Sequence, residues 1–126
     1  IDVDLFKPVN DRYGHISGDE VLRQIALLLR RHARTDDLAA RIGGEEFALM
    51  LPECDAEAAR VFAERLREAV ADAVFTPGGE TQRITVSIGI AELAPGRDVR
   101  PALMAAADTA LYRAKSEGRN RVCVED

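Results

Sequence analysis

The stretch at residues 38–51, LAARIGGEEFALML, contains the two signals on which the fold depends. Apolar residues alternate with others on both sides of Gly43 and Gly44, which is the pattern of two antiparallel strands joined by a turn. Glycine has no Cβ atom, so this turn permits positive φ angles and lets backbone N–H groups approach a ligand closely. Glu45 and Glu46 follow at once. The stretch therefore predicts a β-hairpin with two carboxylates beside a bare turn.

The composition is that of one folded domain. The chain has 126 residues, of which 47% are apolar and 31% charged, enough for a core of its own. A formal net charge of −5 argues against a general nucleic-acid-binding face, which would be basic. No apolar run approaches the ~20 residues that cross a bilayer. Cys54 and Cys123 lack metal-ligand spacing and predict no disulfide framework, so a cytoplasmic location is expected.

The opening residues, IDVD, read as the inside of a strand with no turn residue before it. Ile1 and Val3 alternate with Asp2 and Asp4, so the two acids share one face. We expect residues 1–126 to form a single domain of a longer protein, with the preceding segment missing and any membrane anchor of the parent outside this sequence. Asp4 has an alternative use, which is to cap the helix that follows it.

Hydrophobic periodicity predicts the remaining elements. Apolar residues at three- and four-residue spacing predict helices, and alternation predicts further strands. The helices cover residues 5–13, residues 18–32, a segment from an N-cap at Asp55 to about residue 74, and a segment from Pro101 to a left-handed cap at Gly118. The strands cover residues 83–93, where Gly89 marks a bulge or a close approach, and residues 121–124.

This order of elements favours an α+β sandwich in which helices pack against a mixed, mostly antiparallel central sheet. The first strand can then lie beside the hairpin turn, which brings Asp2 next to Glu45 and Glu46. Carboxylates that converge repel one another unless a cation lies among them. An all-oxygen ligand set without histidine or thiol favours Mg²⁺, shared with the phosphates of a substrate.

Several short motifs follow one another in a fixed order along the chain. They are DVDLFKPVND at residues 2–11, GH and GD at residues 14–15 and 18–19, GGEEF at residues 43–47, AD and ALY within residues 107–112, and AK and GRN within residues 114–120. In this order, nearly end to end, they resemble the GGDEF family of diguanylate cyclases. One departure is that the segment before the first strand, with its Asp-x-Leu-Thr-type motif, is absent.

The resemblance implies a fold similar to class III nucleotide cyclases and to the palm of polymerases. It also implies that two GTP molecules condense to cyclic di-GMP and release two pyrophosphates. Each domain would hold one GTP, so a homodimer would be needed for catalysis. The implied cofactor is Mg²⁺, two ions per active half-site, with Mn²⁺ as a substitute. Neither a nucleic-acid polymer nor direct membrane contact by this domain is implied.

The family's metal ligands correspond to Asp2, the backbone carbonyl of Val3, and Glu45, with Glu46 helping to hold the second ion. Glu45 is also the candidate acceptor of the 3′-hydroxyl proton, and Glu46 and Lys7 complete the catalytic set. The resemblance assigns substrate contacts to eight residues. These are Asn10 and Asp19 for guanine, Leu5, Phe6, Gly43 and Gly44 through the backbone, and Lys115 and Arg119 for phosphate.

Simpler interpretations exist for some of these residues. Asp19 could be an acid in the first turn of a helix, and Lys115 and Arg119 would favour a helix dipole in any protein. Arg34 and Asp37 have the Arg-x-x-Asp spacing of the family's inhibitory product site, where they would bind cyclic di-GMP. Arg65 resembles a secondary arginine of that site. The alternatives are an ordinary polar loop for the pair and a solvated helix arginine for Arg65.

The leading hypothesis is a product-inhibited diguanylate cyclase. The alternative from another class is a non-catalytic module that binds GTP or cyclic di-GMP and drives assembly. A third is a one-nucleotide cyclase that makes cyclic GMP. Intact Asp2, Lys7, Glu45 and Glu46 favour catalysis, because a receptor would need no metal-binding acids.

Overall fold

The computed structural model describes residues 1–95 and 100–126. Its elements follow the predicted order of strand, two helices, hairpin, helix, strand, helix and strand, with one added 3₁₀ turn. They are β1 (Asp2–Val3), α1 (Phe6–Tyr13), α2 (His15–His32), β2 (Leu38–Arg41), β3 (Phe47–Met50), α3 (Ala56–Asp72), the 3₁₀ turn (Pro77–Gly79), β4 (Val86–Ile90), α4 (Arg100–Ser116) and β5 (Val122–Val124). The loop predicted between β4 and α4 lies outside the described residues from position 96 to position 99.

The strands confirm the mixed, mostly antiparallel sheet. β4 lies between β1, which is antiparallel to it, and β5, which is parallel. β2 and β3 form the predicted antiparallel hairpin. An antiparallel bridge between Asp2 and Glu46 connects the hairpin to β1, and the Val3 amide donates to the Glu45 carbonyl oxygen at 3.1 Å. The first strand therefore lies beside the hairpin turn, as predicted.

The main core lies between the sheet and helices α2 and α3. It contains Ile25 and Leu29 of α2, Leu66 and Val70 of α3, and Val86 of β4, none more than 2% exposed. The apolar stripes of the two amphipathic helices thus face β4, and their burial is the main source of stability. The helices flank the sheet, so the α+β sandwich is confirmed.

Gly89 confirms the predicted close approach. A Cβ atom at this position of β4 would lie 2.3 Å from both the Ala107 carbonyl oxygen and the Leu111 amide nitrogen. Helix α4 therefore rests directly on the backbone of β4, because residue 89 has no side chain.

Several local predictions can be checked at the ends of the elements. Asp55 caps α3, since its Oδ1 accepts from the Ala58 amide at 2.8 Å. Gly118 has the positive φ predicted for it, +125°. Helix α2 begins at His15, earlier than predicted, because Gly14 turns the chain at φ +87° and the helix follows at once.

Two options that the sequence left open are not used by the structure. Neither Gly43 nor Gly44 has a positive φ, so the hairpin turn does not use the conformational freedom of glycine. Asp4 does not cap α1. The N-cap is Leu5, in the left-handed conformation at φ 52°, and no side chain caps the helix.

Both cysteines are free thiols, as predicted. Each helix in the described part of the chain is too short or too polar to span a membrane.

Candidate functional site

The candidate site begins where β1 meets the hairpin turn. Asp2 is 5% exposed and lies directly opposite Glu46 in the bridge. Residues opposite one another in an antiparallel pair have Cβ atoms about 5 Å apart on the same face. Glu45 precedes Glu46 and, like it, is half-buried. The fold therefore brings Asp2 of the opening strand to Glu46, one of the two acids that follow the paired glycines.

The Asp2 carboxylate has a cationic partner within the protein. Its Oδ2 atom lies 2.8 Å from the Nζ atom of Lys115 on α4. In the described ranges, 1–95 and 100–126, no group of three His, Cys, Asp or Glu side chains is arranged to hold a metal ion. The expected convergence of three carboxylates is thus not present in this arrangement, in which a lysine ammonium balances the charge of Asp2.

The backbone nitrogen of Ile1 donates to the Phe47 carbonyl oxygen at 2.8 Å, which holds the chain beside the hairpin. Ile1, Glu46 and Asp108 line the same cavity. Asp108 of α4 therefore adds a further acid to this region. Sequence reasoning quoted it in a motif but gave it no role.

The first turn of α1 lies directly after β1. Leu5 is left-handed, and the absence of a side-chain cap leaves the first-turn N–H groups available to a ligand. Such a helix end attracts anions because its N–H groups and its dipole both favour negative charge. Lys7 is 86% exposed and is paired loosely with Asp11 at 3.6 Å, so it can move to a ligand. The geometry is suited to binding phosphate oxygens.

Asn10 and Asp19 lie in neighbouring parts of the α1–α2 unit. The Oδ1 atom of Asn10 is buried and has no hydrogen-bond partner within the described residues. It occupies the space above Gly18, where a Cβ atom would be 1.8 Å away. Asp19 is exposed and lines a cavity of about 370 Å³ between α2 and the hairpin, together with Phe47. Since unpaired buried acceptors are rare, that of Asn10 indicates a missing donor.

Asp4 has a role that sequence reasoning missed. Its carboxylate is 7% exposed and accepts three hydrogen bonds. The donors are the Thr85 hydroxyl at 2.7 Å, the Ser87 hydroxyl at 2.6 Å and the Asn120 backbone amide at 3.0 Å. Ser87 lies opposite Asp2 in the sheet, so the predicted shared face of Asp2 and Asp4 is confirmed. The sequence did contain a signal for this role, since the hydroxyl residues at positions 85 and 87 alternate along the strand and can both donate to one buried acid.

The turn between α4 and β5 carries Arg119. Both Arg119 and Asn120 are left-handed, with φ of 64° and 45°. This conformation is costly for a residue with a side chain unless the surroundings hold it. The Arg119 side chain is exposed, and its guanidinium has no partner within the described residues. Lys115 lies one turn earlier on α4, so the two expected phosphate contacts come from neighbouring positions.

Arg34 and Asp37 form a compact turn between α2 and β2. The Arg34 amide donates to Asp37 Oδ2 at 2.7 Å, and the Asp37 amide donates to the Arg34 carbonyl oxygen at 3.0 Å. The Arg34 side chain is exposed, and its guanidinium is unpaired in the part of the chain that the structure describes. Arg65 is exposed on α3, which packs against α2. Asp37 thus has a clear structural task, whereas the two guanidinium groups have none.

The comparison with protein families decides the identity of this fold. The model of the diguanylate cyclase GGDEF domain matches residues 1–121. The chain belongs to the GGDEF family. Sequence analysis therefore assigned the family correctly, and the palm-like cyclase fold implied by the resemblance is confirmed by solved GGDEF structures.

Individual relatives agree with the family assignment. The GGDEF domain is 47% identical to diguanylate cyclase DgcP of Pseudomonas aeruginosa over 122 residues, which are 97% of this chain and 18% of that protein. The crystal structure of the DgcB GGDEF domain from Caulobacter crescentus with c-di-GMP has a TM-score of 0.92 and 40% identity, covering 98% of this chain and 73% of that one.

A second solved structure is the active GGEEF domain of a diguanylate cyclase from Vibrio cholerae. It has a TM-score of 0.93 and 35% identity, and the match covers 99% of this chain and 79% of that one. The GGDEF domain spans about a third or less of the length of the curated relatives it matches.

Proposed function

We propose that this GGDEF domain is a diguanylate cyclase that condenses two GTP molecules into cyclic di-GMP and two pyrophosphates. The observation that carries the proposal is the Asp2–Glu46 bridge, which lies directly before the uncapped end of α1. Acids for a cation and N–H groups for phosphate oxygens are thus adjacent in the chain and in space. The names of the relatives support the same activity.

Magnesium fits the chemistry of these donors. Asp2, Glu45, Glu46 and the Val3 carbonyl oxygen offer only hard oxygen ligands, which Mg²⁺ prefers and Mn²⁺ accepts. The ion pair between Asp2 and Lys115 indicates that this carboxylate already requires a positive partner. Two bound ions per half-site would neutralise triphosphate charge and lower the pKa of the attacking hydroxyl.

The protein's own residues then supply proton transfer and charge. Glu45 accepts the proton of the 3′-hydroxyl while the oxygen forms a bond to the α-phosphorus of the other GTP. The bond between the α-phosphorus and the bridging oxygen breaks, and pyrophosphate leaves with that electron pair. Lys7, Lys115 and Arg119 balance charge on the phosphates, for which Lys115 moves away from Asp2. The bare backbone of Gly43 and Gly44 admits the nucleotide closely.

Guanine recognition uses Asn10 and Asp19. The Asp19 carboxylate accepts from the N1–H and N2–H edge of guanine, which adenine does not present. The unpaired Oδ1 atom of Asn10 gains a donor from the same base. The Oδ1 atom of Asn10 lies over Gly18, and Asp19 directly follows Gly18 in the chain, so the two residues are close enough for one base to contact both.

Each domain offers one set of these residues, so the reaction requires two copies related by a two-fold axis. Feedback is assigned to Arg34 and Asp37, with Arg65 as a secondary contact for cyclic di-GMP. The support is that the guanidinium groups of Arg34 and Arg65 are exposed and have no partner among the residues that the structure describes.

The decisive test is turnover by the domain held as a dimer through a fused leucine zipper. With GTP and Mg²⁺ it should form cyclic di-GMP, identified by mass, and Glu45→Gln should reduce the rate by at least about a hundredfold, because the proton acceptor is lost. Equally small amounts of cyclic di-GMP from the wild-type and Glu45→Gln proteins would instead favour a non-catalytic module that only binds nucleotides. A product with the mass of cyclic GMP would indicate a one-nucleotide cyclase.

A further inference from the structure

Asp4 is a buried acid that neither metal binding nor proton transfer uses in the proposed reaction. All three of its hydrogen bonds come from neutral donors, and within the described residues no lysine or arginine forms an ion pair with it. A buried carboxylate is costly to desolvate, and its three hydrogen bonds offset that cost. The parts of the chain that donate these bonds therefore indicate the role of Asp4.

The carboxylate joins three separate parts of the chain. Ser87 lies in β4, and Thr85 directly precedes that strand. Asn120 belongs to the turn after α4, 116 residues along the chain from Asp4. Asp4 itself immediately precedes Leu5, the N-cap of α1. The turn that carries Arg119 is thus one hydrogen bond away from the uncapped helix end that the proposed function assigns to phosphate.

The backbone of that turn depends on such support. Arg119 and Asn120 are consecutive left-handed residues, and an asparagine tolerates this conformation better than an arginine does. The Arg119 amide donates to the Ala114 carbonyl oxygen at 3.0 Å, and the Asn120 amide donates to Asp4. The Asn120 side chain accepts from Arg67 of α3 at 2.9 Å. Asp4 supplies the only one of these contacts that comes from the β1–α1 segment.

We infer that Asp4 is a positioning residue for triphosphate recognition, which fixes the backbone at Asn120 so that the Arg119 guanidinium lies at the N-terminal end of α1. Asp4 does not contact the phosphates. It acts through Arg119, whose side chain has no other partner within the described residues. The inference rests on the proposed function, because it assumes that this helix end binds the triphosphate.

A double-mutant cycle tests the inference without requiring turnover. Binding of the α,β-methylene analogue of GTP with Mg²⁺, in which the reacting bond cannot break, is measured by calorimetry. Arg119→Ala should weaken binding roughly tenfold or more, the range for a charge-assisted hydrogen bond. Asp4→Asn should weaken it about three- to tenfold. The double variant should lose no more than Arg119→Ala alone, because the two residues act as one unit.

A second cycle supplies the control. Asp4→Asn combined with Asp19→Ala should show losses that multiply, since the base and phosphate contacts are independent. Asp55→Ala removes a carboxylate that also accepts from a backbone amide, at the start of α3, and should leave binding of the analogue unchanged. In Asp4→Asn, amide exchange by NMR should accelerate at Asn120 while Val70 in the core stays protected.

The outcomes separate the two proposals. If the wild-type domain binds the analogue but the losses of Asp4→Asn and Arg119→Ala multiply, Asp4 has only a general structural role and the inference is overturned. If the wild-type domain does not bind the analogue, the proposed function fails first. Should Asp4→Asn not fold, Thr85→Val gives a milder variant that removes one donor to the same oxygen. Its expected loss of about twofold should also disappear in the Arg119→Ala background.

Discussion

Two turns of this domain each present an arginine whose side chain has no partner among residues 1–95 and 100–126, and an aspartate holds each turn in place. In the turn between α2 and β2, Asp37 accepts from the Arg34 amide, three residues away and exposed to solvent. In the turn between α4 and β5, the acceptor is Asp4, 116 residues away and buried. The first arginine is therefore placed by local structure alone, whereas the second is placed only when the whole domain has folded.

The difference has a functional meaning under the proposed activity. An inhibitory site can be local, since it needs only to hold product at the surface. A substrate site must assemble groups from β1, α1 and α4, and a long-range contact ensures that they appear together. Measurements on matched variants of the two turns test whether this difference is real.

The largest difference should appear in stability. Asp4→Ala leaves the buried Ser87 hydroxyl and the part-buried Thr85 hydroxyl and Asn120 amide without their acceptor, at a cost of about 3 kcal/mol. Asp37→Ala changes an exposed turn and should cost less than about 1 kcal/mol. Urea unfolding followed by circular dichroism measures both, with Asp36→Ala as an exposed neighbour control. Equal losses for the two variants would contradict the distinction between a buried, long-range contact and a local one.

The next effect concerns ligand preference. Arg34→Ala should weaken cyclic di-GMP binding about tenfold or more and relieve product inhibition, while the initial rate stays largely intact. Arg119→Ala should do the opposite, raising the GTP requirement with little effect on the inhibition curve. Initial rates at several product concentrations distinguish the two. An unchanged inhibition curve for Arg34→Ala would remove the assignment of that turn to product.

The smallest effect distinguishes recognition of the guanine base from binding of the phosphates. Asp19→Ala should raise the GTP requirement by about tenfold and reduce the preference for GTP over ATP, because a guanine edge loses its acceptor. Arg119→Ala should leave that preference unchanged, since phosphates are common to both nucleotides. Competition of ATP against GTP in the turnover assay provides the measurement. Full discrimination in Asp19→Ala would mean that the base lies elsewhere.

Much of the fold could be predicted from the sequence, because its signals are local. The alternation around Gly43 and Gly44 predicted the hairpin, Asp55 predicted the start of α3, and the isolated Gly89 predicted a close approach. The start of α2 was predicted less well. The helix begins at His15, directly after Gly14, whereas the apolar pattern indicated a start at residue 18.

The sequence indicated which residues belong to the candidate site better than it indicated which of them contact one another. The Asp2–Glu46 contact followed from the order of elements. The partners of Asp4 and the pair formed by Asp2 and Lys115 did not, because they join residues more than 80 positions apart. No local pattern encodes such contacts. They arise only when packing brings α4 and its following turn onto the sheet.

The contact at Gly89 determines how thick the domain is at the point where α4 lies on the sheet. Any side chain there would meet backbone atoms of the helix, which cannot rotate away as a side chain can. The helix would have to lift by roughly an ångström to restore an ordinary contact distance. Lys115 and the turn that bears Arg119 would move away from the sheet with it. The absence of a side chain at Gly89 therefore determines how far these two positive charges lie from β4.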